Sequence, residues 1–259
     1  MENILGLVGL FLAGVVAGAI NSVAGGGSLI SFPSLVAFGI SPILANATNT
    51  AIVWPGTTSS AWAYRPDLPR KRELLLTLLI PSLLGGLLGA VVLVDTSEET
   101  FAHVVPFLIL FATLLFAASD LFKRLARSNG DPNGTEQINW ASGIWGFSFQ
   151  LFVAAYGGYF GAGIGILMLA SLSMMGLRDI HRMNALKTLL SVGINGIALI
   201  YFIVRGLIVW PLAILMGMGA IIGGYAGARL AKRVNQGWIK VFVVITGLFV
   251  SAWLFVKAI

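Results

Sequence analysis

Apolar runs of membrane-spanning length follow one another almost without pause from Ile4 to Val256. Ten can be drawn, over residues 4–20, 24–40, 43–64, 73–94, 102–122, 138–157, 160–177, 181–203, 207–230 and 237–256. At 1.5 Å per residue, most of them cover a hydrocarbon core of about 30 Å. Only 10% of the residues are charged and 58% are hydrophobic, whereas a soluble domain carries about 25% charge. The expected fold class is an all-α polytopic membrane protein, with the lipid bilayer as its first partner. Without cysteine the chain can form neither disulfides nor thiolate metal sites. His103 and His181 are too far apart to suggest a metal centre, and no cofactor is expected. The net charge of +6 is no nucleic-acid signal, because the basic residues lie in short loops between apolar runs, where they report topology. The N-terminal run lacks a basic n-region and a small-residue cleavage site, so it reads as a first membrane helix.

The longest polar connection is "RSNGDPNGTEQ", Arg127 to Gln137, whose Gly, Pro, Asn and Asp content marks a loop. It divides the chain into a first membrane repeat (1–126), a cytoplasmic linker (127–137) and a second repeat (138–259). A shift of 138 residues carries Gly85, Gly86 and Gly89 onto Gly223, Gly224 and Gly227. The same shift carries Asn46 onto Asn184, Gly25 onto Gly163 and Gly27 onto Gly165, a common offset that indicates an internal repeat. With ten crossings, thirteen basic residues fall on one side, including Arg65, Arg70, Lys71, Arg72, Lys123, Arg178 and Lys240. That side is the cytoplasmic one. The opposite side holds Glu2, Asp95, Glu98 and Glu99, with Arg205 and Lys257 as its basic residues. Five crossings per half make the two repeats inverted. An eight-crossing chain, with 24–40 and 160–177 re-entrant, would split the basic loops between the two sides.

"NSVAGGGSLISFPSL", residues 21–35, and "YGGYFGAGIGILMLASL", residues 156–172, interrupt this helical pattern at corresponding places. Broken backbone at membrane depth is tolerated where protein or an aqueous cavity surrounds it. Paired breaks in inverted repeats are a pointer to a transporter substrate site. Gly25, Gly26, Gly27 and Ser28, with Gly161, Gly163 and Gly165, would expose N–H groups suited to an anion; the alternative is close helix packing through small residues. The segments that follow are polar. Asn46, Asn49 and Thr57 lie in the first, and Asn184, Lys187, Thr188, Ser191 and Asn195 recur at helical spacing in the second. An intramembrane lysine is by default a functional residue, although Lys187 is shallow enough to snorkel to the headgroups. Asn21, Gln150 and Tyr156 are further donors near the breaks, as ligands or as caps for exposed carbonyls. The tryptophans, Trp54 among them, read as interfacial anchors or packing. Pro33, Pro55, Pro81 and Pro211 read as bends or helix starts.

"AGAINSVAGGGSLISFPSL", "NATNT", "GAGIGILMLASL" and "NALKTLL" together resemble the sulfite exporter TauE/SafE family, also called TSUP or DUF81, over nearly the whole chain. The resemblance implies a multi-pass permease of a prokaryotic inner (plasma) membrane. It implies a small anionic substrate such as sulfite or an organosulfonate, with small carboxylates as an alternative. It also implies that the two glycine segments and Asn46, Asn49, Asn184 and Lys187 frame the binding region. The second glycine motif lacks the full triple glycine and the following proline of the first. Alternating access of the two repeats is the expected mechanism, with an anion channel as the alternative and no enzymatic role. Export runs down the inside-negative potential, while uptake would require coupling, to protons for example. The stripes Gly85/Gly89 and Gly223/Gly227 suit packing within the protomer or in a homodimer.

Overall fold

A computed structural model describes residues 2–23, 26–69, 72–118, 141–175, 177, 179–230 and 236–258. Among them are ten α-helices: α1 (Glu2–Val23), α2 (Ser28–Ala37), α3 (Pro42–Ala63), α4 (Arg72–Asp95), α5 (Glu98–Ala117), α6 (Ala141–Tyr159), α7 (Ile164–Met174), α8 (Ile180–Val204), α9 (Trp210–Leu230) and α10 (Gln236–Ala258). The linker 127–137, Gly25 and much of the basic loop set lie outside the described residues. Four helices contain stretches long and apolar enough to cross a membrane: Ile4–Asn21, Leu74–Asp95, Glu98–Ala117 and Arg182–Val204. Ser28–Ala37, Trp210–Ala226 and Lys240–Val256 are shorter apolar helices.

Local chemistry sets several helix starts. Pro42 occupies the first turn of α3, where a missing N–H costs nothing. Ser97 caps α5, its hydroxyl accepting from the Thr100 N–H at 3.2 Å. Glu98 then reaches across to α3, accepting from the Ser41 hydroxyl at 2.8 Å and from the Ile43 N–H at 3.4 Å. Pro33, Pro55, Pro81 and Pro106 lie inside helices. Pro211 is the second residue of α9, a helix-start position.

Large apolar side chains face outward along α4 (Ile80, Leu84, Leu88), α9 (Ile214, Met218, Ile221) and α10 (Phe242, Ile245, Phe249). Such a surface suits a lipid solvent and no aqueous one. The interior holds a large apolar cluster that includes Phe32, Phe101, Ile109 and Phe202, and a smaller one around Met168, Leu172, Met183 and Leu190.

The closest helix pairs are α1 with α9 and α4 with α6. A Cβ at Gly14 or Gly18 would collide with the backbone of Met216 or Ala220, and one at Gly219 or Gly223 with that of Phe11 or Val15. On the other side, Gly85 and Gly89 press on Leu151 and Ala155, and Gly158 on Gly86. The small-residue faces of Gly85, Gly89 and Gly223 are therefore occupied within the chain, the geometry that drives helix association where lipid offers no hydrophobic gain. Other contacts come in similar pairs. Each of α2 and α7 packs on the helices before and after it, α3 meets α8, and α5 meets α10.

Candidate functional site

Both glycine segments are breaks. The first follows α1. Gly27 has an ordinary helical φ of −56°, so its glycine serves close approach and not backbone freedom. A Cβ there would overlap the Ala17 carbonyl and stand 2.9 Å from the Asn21 Cβ. The second break follows α6 and does need glycine conformation, with φ of +79° at Gly161 and +76° at Gly163. The Tyr156 hydroxyl donates to the Ala162 carbonyl at 2.7 Å and so caps this break from inside. Of the amides from Gly161 to Ile166, those of Gly161, Ile164 and Ile166 bond backward onto the chain. Those of Ala162, Gly163 and Gly165 turn away from its carbonyls. Ten residues in α2 and eleven in α7 make helices of about 15–17 Å, roughly half a hydrocarbon core.

Each short helix leans on the polar helix that follows it. In the first half the Ser31 hydroxyl sits within bonding distance of the Gly27 carbonyl (3.2 Å) and of Asn49 Oδ1. In the second half the aliphatic stem of Lys187 lies against Gly165, where a Cβ would stand 3.3 Å from the lysine Cδ. The Lys187 ammonium donates to Asn184 Oδ1 at 3.0 Å. Asn49 and Lys187 are related by the 138-residue shift, so corresponding places hold a neutral amide and a cation. One local bond recurs at that shift: the Thr50 hydroxyl donates to the Asn46 carbonyl (3.1 Å) and the Thr188 hydroxyl to the Asn184 carbonyl (2.7 Å).

These two sets lie on opposite sides of a crossing. The Trp54 indole N–H donates to the Val192 carbonyl at 3.1 Å, with its ring against Gly196. The helices run antiparallel there. Thr48 near the start of α3 accepts from the Val209 N–H beyond the end of α8, and the 3₁₀ turn Arg65–Asp67 beyond α3 touches α8. Leu68 just after that turn packs on the cluster holding Leu177, Met183 and Leu186. Asn49 and Lys187 each stand five residues from the crossing, which sets them about 15 Å apart along the bundle. Asn46 and Asn184 lie further out still.

Asn46 is 1% exposed and donates its Nδ2 to the Tyr159 carbonyl at the end of α6, at 2.9 Å. Its Oδ1 has no partner. Asn21 is half-buried beside Gly27, and Ser28 is the first, half-buried residue of α2. Thr57 turns its hydroxyl back onto the Val53 carbonyl. Ser191 is buried, 3.6 Å from the Met168 sulfur, and Asn195 Oδ1 would lie 3.7 Å from a Cβ at Gly161. Gln150 is not at a break. It is fully buried about 14 Å of helix before the end of α6 and donates to Ser82 of α4 at 2.9 Å. The contacts of Gly157 with Ile164 and of Gly146 with Met175 set a register that brings Gln150 level with Ser171 of α7, and each keeps an unpartnered oxygen.

Ser31 and Trp54 were absent from the sequence-based site. Ser31 had a usable signal, since it follows Gly27 by one helical turn on the same face. Trp54 is no interfacial anchor: it is half-buried at the meeting of α3 and α8, midway along both.

A family model described as "Sulfite exporter TauE/SafE" matches residues 10–254. A "probable membrane transporter protein" of Haemophilus influenzae is 28% identical over 248 residues, covering 94% of this chain and 92% of that protein. The "probable membrane transporter protein ORF9" of a Sinorhizobium species is 28% identical over 246 residues, covering 92% and 88%. The "probable membrane transporter protein YfcA" of Escherichia coli K12 is 27% identical over 249 residues, covering 94% and 87%. No solved structure gives a significant match. The relatives are bacterial, and the chain is a multi-pass transporter of a bacterial inner membrane, not an enzyme. By the extent of the match, it belongs to the sulfite exporter TauE/SafE family.

Proposed function

We propose that this transporter exports small anions of the sulfite or organosulfonate type by alternating access between two inverted repeats, residues 1–126 and 138–259. The inverted arrangement is supported by the paired contacts. Exchanging the first five helices for the last five turns α1–α9 into α6–α4, and leaves α3–α8 and α5–α10 unchanged. The observation that carries the anion reading is the second break. There the start of α7, with its outward-turned amides, lies against Lys187. An anion held between those amides and the ammonium gains charge-assisted hydrogen bonds that offset its desolvation. The first break offers Ser31 and Asn49 in the corresponding place, a neutral set that binds the same anion more weakly and lets it leave. Asn21, Ser28, Thr57, Thr188 and Ser191 extend this polar lining, and Gln150 supports it from the α4–α6 seam.

Two repeats rolling at the α3–α8 crossing would expose one set to each side in turn. Transport then runs down the inside-negative potential, out of the cell. The test is flux of sulfite and ethanesulfonate in proteoliposomes carrying wild type or Lys187→Gln. The substitution should lower flux by at least tenfold, which corresponds to about 1.4 kcal/mol, while leaving the melting temperature in detergent within a few degrees. Undiminished flux would refute the role of Lys187. Currents far above a carrier's turnover would point to a channel instead.

A further inference from the structure

Asn46 Oδ1 is a buried acceptor that the chain leaves without a donor. Its identity is fixed by its neighbour. Because Nδ2 donates to the Tyr159 carbonyl at 2.9 Å, flipping the amide would set two acceptors face to face. Nearby hydroxyls are committed elsewhere, that of Thr50 to the Asn46 carbonyl and that of Tyr156 to the Ala162 carbonyl. Covalent geometry keeps this free oxygen within about 5 Å of the Tyr159 carbonyl, at the lip of the second break. The break itself supplies donors, the amides of Ala162, Gly163 and Gly165. One place thus combines several donors with one unmet acceptor.

A plain sulfonate carries acceptor oxygens only. It would suit the amides and would set a lone pair against Asn46. An anion that also carries a hydroxyl or an acid proton satisfies both. We propose, building on the anion-transport reading, that the transported species is a monoanion bearing a hydrogen-bond donor: the singly protonated form of a diprotic oxyanion, or a hydroxylated sulfonate or carboxylate. A site with a buried polar group rejects analogues that leave it unpaired. The rest of the interior agrees. Among the described residues the buried polar side chains are Ser, Thr, Asn and Gln, with no Asp, Glu or His. A proton that crosses with the substrate therefore rides on the substrate, and it is released to water when the monoanion ionises on the more alkaline side.

The experiment measures two ratios in proteoliposomes. The first is flux of 2-hydroxyethanesulfonate against ethanesulfonate, which differ by the hydroxyl. Wild type should favour the hydroxylated probe by about tenfold or more, and Asn46→Ala should bring the ratio near one. A ratio taken within one preparation does not depend on how much of the variant folds. The second, on wild type alone, is sulfite flux against ethanesulfonate flux on either side of the second pKa of sulfite. Sulfite flux should track the hydrogensulfite fraction while ethanesulfonate flux stays level. Equal wild-type flux of the two sulfonates, or sulfite flux that rises with the dianion, overturns this inference and leaves anion transport standing. Absence of flux for every probe overturns the transport reading itself, and this inference with it.

Discussion

Replacing Gly223 by alanine tests the seam between α1 and α9. The new methyl would stand 2.6 Å from the Val15 carbonyl carbon and 2.8 Å from its Cα, overlapping the carbonyl oxygen. Ordinary contact begins at 3.4 Å, so the two backbones must part by about 1 Å. A gap of that size forfeits roughly a quarter to a half of the dispersion attraction between the atoms it separates. It cannot stay local, because Gly14, Gly18 and Gly219 hold the same two helices at the same spacing. Overpacking of this kind costs about 1–3 kcal/mol, while the helix propensity of alanine returns about 1 kcal/mol. Between helices in lipid no hydrophobic gain covers the remainder. The expected net effect is a destabilisation of about 1–2 kcal/mol. Gly217, in the same helix, has nothing within 4 Å of its Cβ position, so propensity acts there alone. Gly217→Ala should be neutral or stabilising by up to about 1 kcal/mol. The assay is equilibrium unfolding in mixed micelles, each variant against wild type. If the two substitutions behave alike, or if Gly223→Ala stabilises, the seam is not held by backbone contact and the argument fails.

Gly161→Ala forces an L-residue into a φ of +79° and should cost about 1–2 kcal/mol in the same unfolding assay, with Gly161→Asn milder because asparagine tolerates the left-handed region. Trp54→Phe keeps a ring against Gly196 and removes the indole bond to the Val192 carbonyl. An interhelical bond in a membrane averages about 0.6 kcal/mol, so unfolding should barely shift, while flux falls several-fold if the repeats roll at this crossing.

The helices and their breaks were legible because each is a local property. Apolar length calls for a helix, and clustered glycine weakens one. Position within a helix was harder to read. Gln150 stands near the second glycine segment in sequence, but α6 continues unbroken to Tyr159 and carries it to the α4 seam. Trp54 fits the usual interfacial role of tryptophan, yet it is the thirteenth residue of a 22-residue helix, a depth at which no interface lies. The spatial relation of the paired residues was not legible at all. A repeat identifies equivalents without saying how far apart they are, because under a twofold relation that distance depends on each residue's distance from the axis. Trp54 and Val192, separated by the repeat shift, are in hydrogen-bond contact and so mark the place where the two halves meet. Moving outward along two antiparallel helices, each further residue adds about 1.5 Å on both sides. Asn49 and Lys187 are thereby held apart, and Asn46 and Asn184 more so. The most symmetric residues in the sequence are not partners in one pocket but the two ends of a path. The asymmetry between them, an amide at one end and an ammonium at the other, is what gives that path a direction.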